Sequence, residues 1–386
     1  MPFLIVAVPR RFFFLALGSS LVVTGQVVLL EETVVTAKAI EEDQEKGSVA
    51  HLKASDLLKR GAVTLEDALQ REPGVSVPLD IAGVDTLVPY LEGGSAGINV
   101  RGLEGNRVEI LVDGIPQPDD FVSRSFQGSG GPGRIYFDPG VFASIDLFKS
   151  ASPGSGSLAG TIAGQTESSW TLLGDDLVGT AFSLTTTYAS SNRSWNHRLA
   201  TAWGDGDFAS SIVYSHREGH ELENNGSLGA NPSDTRSDAF VWKAVIRNGG
   251  WTIEPTVDYF RSNSFTDLDS IEIESLIGRT FDATNDAERE RLRFSLDFTN
   301  EPEGENSFAD RYTGKLYFQN STSDNLNLQG VETPAGDFRN RINRLSYATE
   351  RAGLNPSRQK IINERQNCFR LFVILMVWTS RSRLSN

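Results

Sequence analysis

Alternation of apolar and polar positions is the main structural signal along this chain. In Gly97–Pro118, GINVRGLEGNRVEILVDGIPQP, Val108, Ile110 and Val112 alternate with Glu109 and Asp113. That period of two predicts a half-buried strand. Asp113-Gly114 then signals a turn, because glycine accepts positive φ and aspartate caps its own backbone. Gly102 and Gly105 permit a tight bend upstream. From Thr180 onward the pattern becomes one of repeated strands. Phe182, Leu184, Thr186 and Tyr188 alternate with small or polar residues. Ile253, Val257 and Tyr259 alternate with Thr252, Glu254, Thr256 and Asp258, and Leu292, Phe294, Leu296 and Phe298 with Arg291, Arg293, Ser295 and Asp297. Roughly eight strands of this kind occupy the chain from Thr180 onward.

The connections alternate in length. Gly204–Asp207 and Asn248–Gly250 are short, whereas Glu218–Ser237 and Ser262–Glu288 are long and acidic. A soluble β-sandwich alternates its side chains in the same way. Membrane barrels, however, put short turns at one end and long loops at the other, so the two long loops are expected outside the cell. Ser55–Arg71 carries two short helical turns, with capping-box spacing at Thr64 and Asp67 and a stop at Pro73-Gly74.

Composition narrows the function classes. No apolar run reaches the roughly 18 residues of a spanning helix, so any membrane role falls to strands. A net charge of −14 argues against nucleic-acid binding, which needs clustered Lys and Arg. The single cysteine, Cys368, excludes a disulfide framework and a multi-cysteine metal site. Nothing in the spacing of His, Asp and Glu marks an acid–base pair. No enzyme, catalytic residue, cofactor or metal site is expected. Gly128–Gly133, GSGGPG, matches GxGxxG formally. Pro132 removes a donor, however, and the extended Ile135-Tyr136-Phe137 follows where a helix is required, so this is a loop.

The two ends differ from the middle. Arg10-Arg11 followed by apolar Phe12–Val23 has the charge-then-apolar order of an export signal over residues 1–26, with Thr24 and Gly25 small enough for cleavage. Glu32-Thr33-Val34-Val35-Thr36-Ala37 favours an extended conformation and precedes the charged, solvated Glu41–Lys46. Near the other end Phe369–Trp378, FRLFVILMVW, is apolar without alternating and too short to span as a helix. Local charge turns basic through Arg351, Arg358, Lys360, Arg365, Arg370, Arg381 and Arg383, and the character of the sequence changes between about Arg351 and Cys368.

Asn99-Val100-Arg101-Gly102 followed by Val112-Asp113-Gly114 resembles the plug domain of TonB-dependent outer-membrane receptors. Pro73-Gly74-Val75 fits the same family, and Gly154–Gly160 fits it with a slight departure. Tyr136-Phe137-Asp138-Pro139 resembles the haem and haemoglobin receptor branch. Glu32–Ala37 resembles a TonB box, which an energy-coupling protein captures by edge pairing. The resemblance implies an α+β plug domain followed by an incomplete antiparallel transmembrane β-barrel. Its parts are a signal peptide (1–26), a TonB box and flexible linker (27–46), the plug (47–166), a partial barrel (167–350) and a tail of different character (351–386). Family barrels enclose the plug with about 22 strands. About eight cannot, so the chain is expected to be truncated, with its tail read in another frame.

The resemblance also implies sites. The coupling residues are Glu32, Thr33, Val34, Val35, Thr36 and Ala37, and the plug motif is Arg101, Gly102, Arg107, Asp113 and Gly114. Arg101 and Arg107 either pair with carboxylates of the barrel wall or are solvated surface charges. His216 and His220 are candidate haem-iron ligands, or ordinary exposed loop histidines. The implied function is uptake of an iron-containing nutrient at the outer membrane, with haem or a haemoprotein first and a ferric siderophore second. Its partners are TonB, outer-membrane lipid and that ligand, with no nucleic acid. A non-transporting β-rich surface or adhesion protein is the alternative from a different class, and it has no use for a coupling segment.

Overall fold

The computed structural model describes residues 49–54, 56, 69, 71–77, 98–103, 105–119, 137–149, 157–221, 231–269, 272, 274–275, 278–302, 311–361, 368–372 and 383–385. The export signal, Glu32–Ala37, the linker, most of Ser55–Arg71 and the GSGGPG stretch lie outside the described residues.

Val108, Ile110 and Val112 do form a strand. β4 (Val108–Val112) buries these three side chains and half-exposes Glu109 and Leu111. It belongs to a five-stranded mixed sheet with β1 (Val49–Lys53), β5 (Ile115–Pro116), β6 (Phe142–Phe148) and β7 (Gly160–Thr166), in the order β1-β6-β7-β4-β5. β4 and β7 run parallel and the other neighbours antiparallel. β2 (Val75–Ser76) and β3 (Asn99–Val100) pair with each other in a separate ribbon. The turn from β4 to β5 places Asp113 and Gly114 at φ 50° and 75°, the two positive values of a type I′ hairpin. Contrary to the sequence expectation, the Asp113 carboxylate does not turn back on its own backbone. It accepts hydrogen bonds from the Thr166 N–H at 2.9 Å and the Thr166 hydroxyl at 2.8 Å.

A short helix, α1 (Ser169–Leu173), leads into an 11-stranded antiparallel sheet. Its strands are β8 (Val178–Ala189), β9 (Ser194–Asp205), β10 (Phe208–His220), β11 (Ser233–Asn248), β12 (Trp251–Asp267), β13 (Glu274–Ser275), β14 (Gly278–Asn300), β15 (Arg311–Glu332), β16 (Phe338–Ile361), β17 (Cys368–Phe372) and β18 (Arg383–Ser385). Apart from β13 and β18, which pair beside β14 and β16, the strands follow one another in chain order. Among the described residues the sheet does not close on itself, since β8 pairs with β9 alone. The apolar tail begins as β17, antiparallel to residues 357–361 of β16.

The two faces of this sheet have different chemistry. Cross-strand neighbours Leu184, Leu199, Tyr214, Phe240, Tyr259 and Leu292 form one row on the outward face. Between this row and the short turns, β12 presents Trp251, Ile253, Pro255 and Val257, and β14 presents Leu296 and Phe298. From Trp251 to Tyr259 the strand rises roughly 27 Å, enough for the apolar band of a membrane barrel, about 25 Å tall. The next row away from the short turns is Thr186, His197, His216, Asp238, Arg261 and Glu290, and there the apolar band stops.

The short turns occur where expected, at 206–207 and 249–250. The long loops do not run as far as the sequence suggested. Strand pairing continues through Asp267↔Thr284, so most of Ser262–Glu288 is ladder and the connection shrinks to residues 268–277. Similarly, β10 and β11 leave only 221–232 between them. Once a strand rises beyond lipid, no physical requirement keeps an apolar outward face, and its period-two signal fades although its hydrogen bonds continue.

The plug sheet and the inner face of the wall share one core. Phe137, Val141, Phe142 and Leu147 belong to the same buried cluster as Ala200, Val213, Ala239, Val241 and Phe260.

Candidate functional site

The β4–β5 hairpin carries its turn into a ring of wall cations. The carbonyls at its tip lack ladder partners, and buried carbonyls must be satisfied somewhere. Here the wall supplies the donors. Arg293 on β14 donates to the Val112 carbonyl at 2.5 Å and to the Asp113 carboxylate at 2.6 Å. Lys243 on β11 lies 3.2 Å from the same carboxylate and donates to the Thr166 carbonyl at 3.2 Å. Lys315 on β15 donates to the Asp113 carbonyl at 2.5 Å. Arg291 donates to the Gln117 side chain at 2.8 Å, and Arg351 on β16 to the Gln117 carbonyl at 2.8 Å and to Asp119 at 2.9 Å. On the wall itself Asp258 of β12 bridges Arg291 and Arg293 at 2.5 and 2.6 Å.

The electrostatics explain why Asp113 stays charged while buried. Burial alone pushes its carboxyl up, but the Lys243 ammonium, the Arg293 guanidinium and the two Thr166 hydrogen bonds together hold it well below the usual carboxylate range. Arg291 and Arg293 are among the largest fully buried side chains described. Each of these groups has more than one partner, so removing one weakens the network by about 1.5–3 kcal/mol, the worth of a charge-assisted hydrogen bond. The knot can therefore hold the hairpin firmly and release it only against a substantial force or a change of partners.

Two further anchors join plug and wall. Asp138, buried, caps the 3-10 turn Pro139–Val141 by accepting the Gly140 N–H at 2.6 Å. It also accepts the Ser215 and Ser237 hydroxyls at 3.3 and 3.2 Å, with Arg217 at 3.6 Å. Arg198 pairs with Glu167 and donates to the Gly140 carbonyl at 2.7 Å. At the connection itself, Trp170 of α1 donates to Glu254 at 3.1 Å and lies under the Arg247 guanidinium at 4.5 Å.

The residues singled out in the sequence divide into separate groups. Glu32, Thr33, Val34, Val35, Thr36 and Ala37 lie outside the described residues. Asp113 and Gly114 form the tip of the latched hairpin. Arg101 and Gly102 are exposed in the turn after β3, where the Gly102 N–H meets the Asn99 side chain at 2.8 Å. Arg107 is exposed, and its carbonyl accepts the Leu158 and Ala159 N–H groups at 3.1 and 2.9 Å. The described plug-to-wall ion pairs at the hairpin thus run opposite to the one anticipated for Arg101 and Arg107: the wall supplies the cation and the plug the carboxylate. His216 and His220 lie on the outward face, away from the plug, each with an aspartate at 2.8 Å (Asp238 and Asp234). His216 stacks on His197 with ring centroids 6.5 Å apart.

In the sequence Arg291 and Arg293 stand only as the polar half of a strand and Arg351 only as the start of a basic tail, while Lys243 and Lys315 carry no signal of their own. For the arginines of β14 a signal was present. Arg289, Arg291 and Arg293 share a register opposite Leu292, Phe294 and Leu296, and an arginine run facing away from lipid must be buried against something polar.

Comparison with known proteins bears on this arrangement. Residues 34–161 match the model of the TonB-dependent Receptor Plug Domain. Transferrin-binding protein A of Haemophilus influenzae is 30% identical over 207 residues, which is 50% of this chain and 21% of that protein. Hemoglobin-binding protein A of Haemophilus influenzae is 28% identical over 207 residues, 51% of this chain and 18% of that protein. The chain thus spans about a fifth of the length of these relatives. Among solved structures, the FrpB iron transporter of Neisseria meningitidis superposes with a TM-score of 0.59 at 15% identity, covering 82% of this chain and 47% of that one. At that identity the likeness is one of fold.

Proposed function

We propose, from the premise that this chain belongs to the TonB-dependent receptors, that it forms the plug and adjoining wall of an outer-membrane receptor for an iron-containing nutrient. The carrying observation is the hairpin of Asp113 and Gly114, held by charge against a wall whose other face is an apolar band. That combination supports the reading of a separable stopper against a membrane sheet. Ligand binds at the loop end of the wall. Glu32–Ala37 is captured by the energy-coupling protein TonB through strand pairing, in which backbone hydrogen bonds carry the affinity. Tension on that segment draws the hairpin off Lys243, Arg293, Lys315 and Arg351 and opens a path along the inner face. Residues 1–26 direct export.

Two relatives support this ligand class. One is named for binding transferrin and another for binding hemoglobin, and both of those carriers hold iron. A haem or haemoprotein ligand is the first assignment and a ferric siderophore the second. The test is a pull-down between a peptide covering Glu31–Ile40 and the periplasmic part of TonB. Retention of TonB supports the receptor, and its absence favours a β-rich surface protein that transports nothing.

A further inference from the structure

The wall cations form a second site, hidden while the hairpin is docked. We propose that its withdrawal exposes a binding site for a small oxyanion carrying two negative charges, built from Lys243, Arg291, Arg293, Lys315 and Arg351. This rests on the latch reading above, since the site exists only when the hairpin has moved.

Three observations carry it. First, the hairpin presents these side chains with oxygen atoms and little else: the carboxylates of Asp113 and Asp119, the amide oxygen of Gln117, and the carbonyls of Val112, Asp113 and Gln117. The docked plug thus occupies the places that an oxyanion's oxygens would take. Second, the cations outnumber the wall carboxylates beside them. Asp258 bridges Arg291 and Arg293, Asp297 lies 3.0 Å from Lys315, and Glu254 interacts with Lys243 and Lys315, so among the described residues five cations face three wall carboxylates. Withdrawal of Asp113 and Asp119 therefore leaves a positive excess that an anion neutralises. Third, donors in the same rows stand unused. Arg293↔Gln319↔Arg351 and Arg291↔Ser321↔Thr349 are adjacent cross-strand rows. The Arg291 Nε, Arg293 Nε, Ser321 Oγ and Thr349 Oγ1 atoms are buried without a hydrogen-bond partner. Buried polar groups are ordinarily satisfied. Guanidinium groups and hydroxyls converging from three strands have the donor chemistry that recognises phosphate or carboxylate oxygens.

The probe is inorganic phosphate, titrated by calorimetry into the detergent-solubilised full chain, with chloride as control. Amide hydrogen exchange at Val108–Gln117 is followed in the same samples. Asp113→Asn frees the hairpin, and the milder Thr166→Val removes one of its hydrogen bonds. The expected result is faster hairpin exchange in both variants, with phosphate affinity raised about tenfold in Asp113→Asn and lost again when Arg291→Gln is added. Faster exchange with no gain in phosphate affinity in either variant overturns the anion site and leaves the latch standing. Unchanged exchange in both overturns the latch, and this site with it.

Discussion

Asp113 and Arg293 stand 180 residues apart in the chain and meet at 2.6 Å, both buried. Asp113 sits where a two-residue turn needs it, and Arg293 is one side chain of a strand whose opposite face is Leu292 and Phe294. The meeting joins the local logic of a hairpin to the two-faced logic of a membrane sheet.

The strength of that contact is measurable by a double-mutant cycle. Asp113→Asn and Arg293→Gln should each destabilise the chain by about 1.5–3 kcal/mol, because each removes one charge-assisted contact while Asp258 still pairs with Arg293 and Lys243 with Asp113. The double variant should lose less than the sum, with a coupling of about 1–3 kcal/mol. Denaturant unfolding in detergent checks it. Strict additivity would mean that the two groups do not act as a pair.

The pH dependence follows from the sign of the Asp113 shift. Its carboxyl in the folded chain lies below its ordinary value near 3.8. A depressed value means the stabilisation is fully present above the unfolded value and is lost as pH falls through the folded one. Hairpin protection should therefore be flat from pH 7 to about pH 5 and decline only in strong acid. Asp113→Asn should remove the part of the acid decline that belongs to this group.

Gly140 is required by close approach. A Cβ there would lie 2.4 Å from the Ser215 hydroxyl and 2.8 Å from the Asp138 carboxylate that caps its turn. Gly140→Ala should cost about 1–3 kcal/mol through overpacking. Adding Ser215→Gly should recover part of the loss. Thermal unfolding in detergent reads both.

Replacing both His216 and His220 by Ala should leave ligand capture by a complete receptor unchanged. Both lie on the outward face with aspartate partners, and neither points at the plug. A binding titration with haemoglobin and with haem checks this. A clear loss of haem affinity would restore them as ligands.

The legible parts of this molecule were those where one residue type serves one local rule. Val108, Ile110 and Val112 alternate because one side of β4 is core, and Asp113-Gly114 is a turn pair by φ alone. Leu292, Phe294, Leu296 and Phe298 announced a two-faced strand, and the alternation of short and long connections, not these residues, pointed to a membrane wall. What stayed hidden was relational. Nothing near Asp113 in sequence says that its carboxylate is spoken for by Thr166, Lys243 and Arg293, since those contacts form only when distant strands pack. The stretch Gly278–Glu288 read as loop because its outward positions Asp282, Asp286 and Glu288 are polar, yet it is held in the ladder by backbone pairing. Arg101 and Arg107 drew attention as charges in a motif, while the charges that fix the hairpin were spread over four wall strands.

The most direct test of the central claim is amide exchange at Val112, Ile115 and Gln117 in the wild-type full chain and in Arg293→Gln. The account predicts that these hairpin amides lose protection in the variant while the β9–β10 ladder keeps its own. Equal protection of the hairpin in both proteins would contradict it, because the wall would then not be what holds the plug in place.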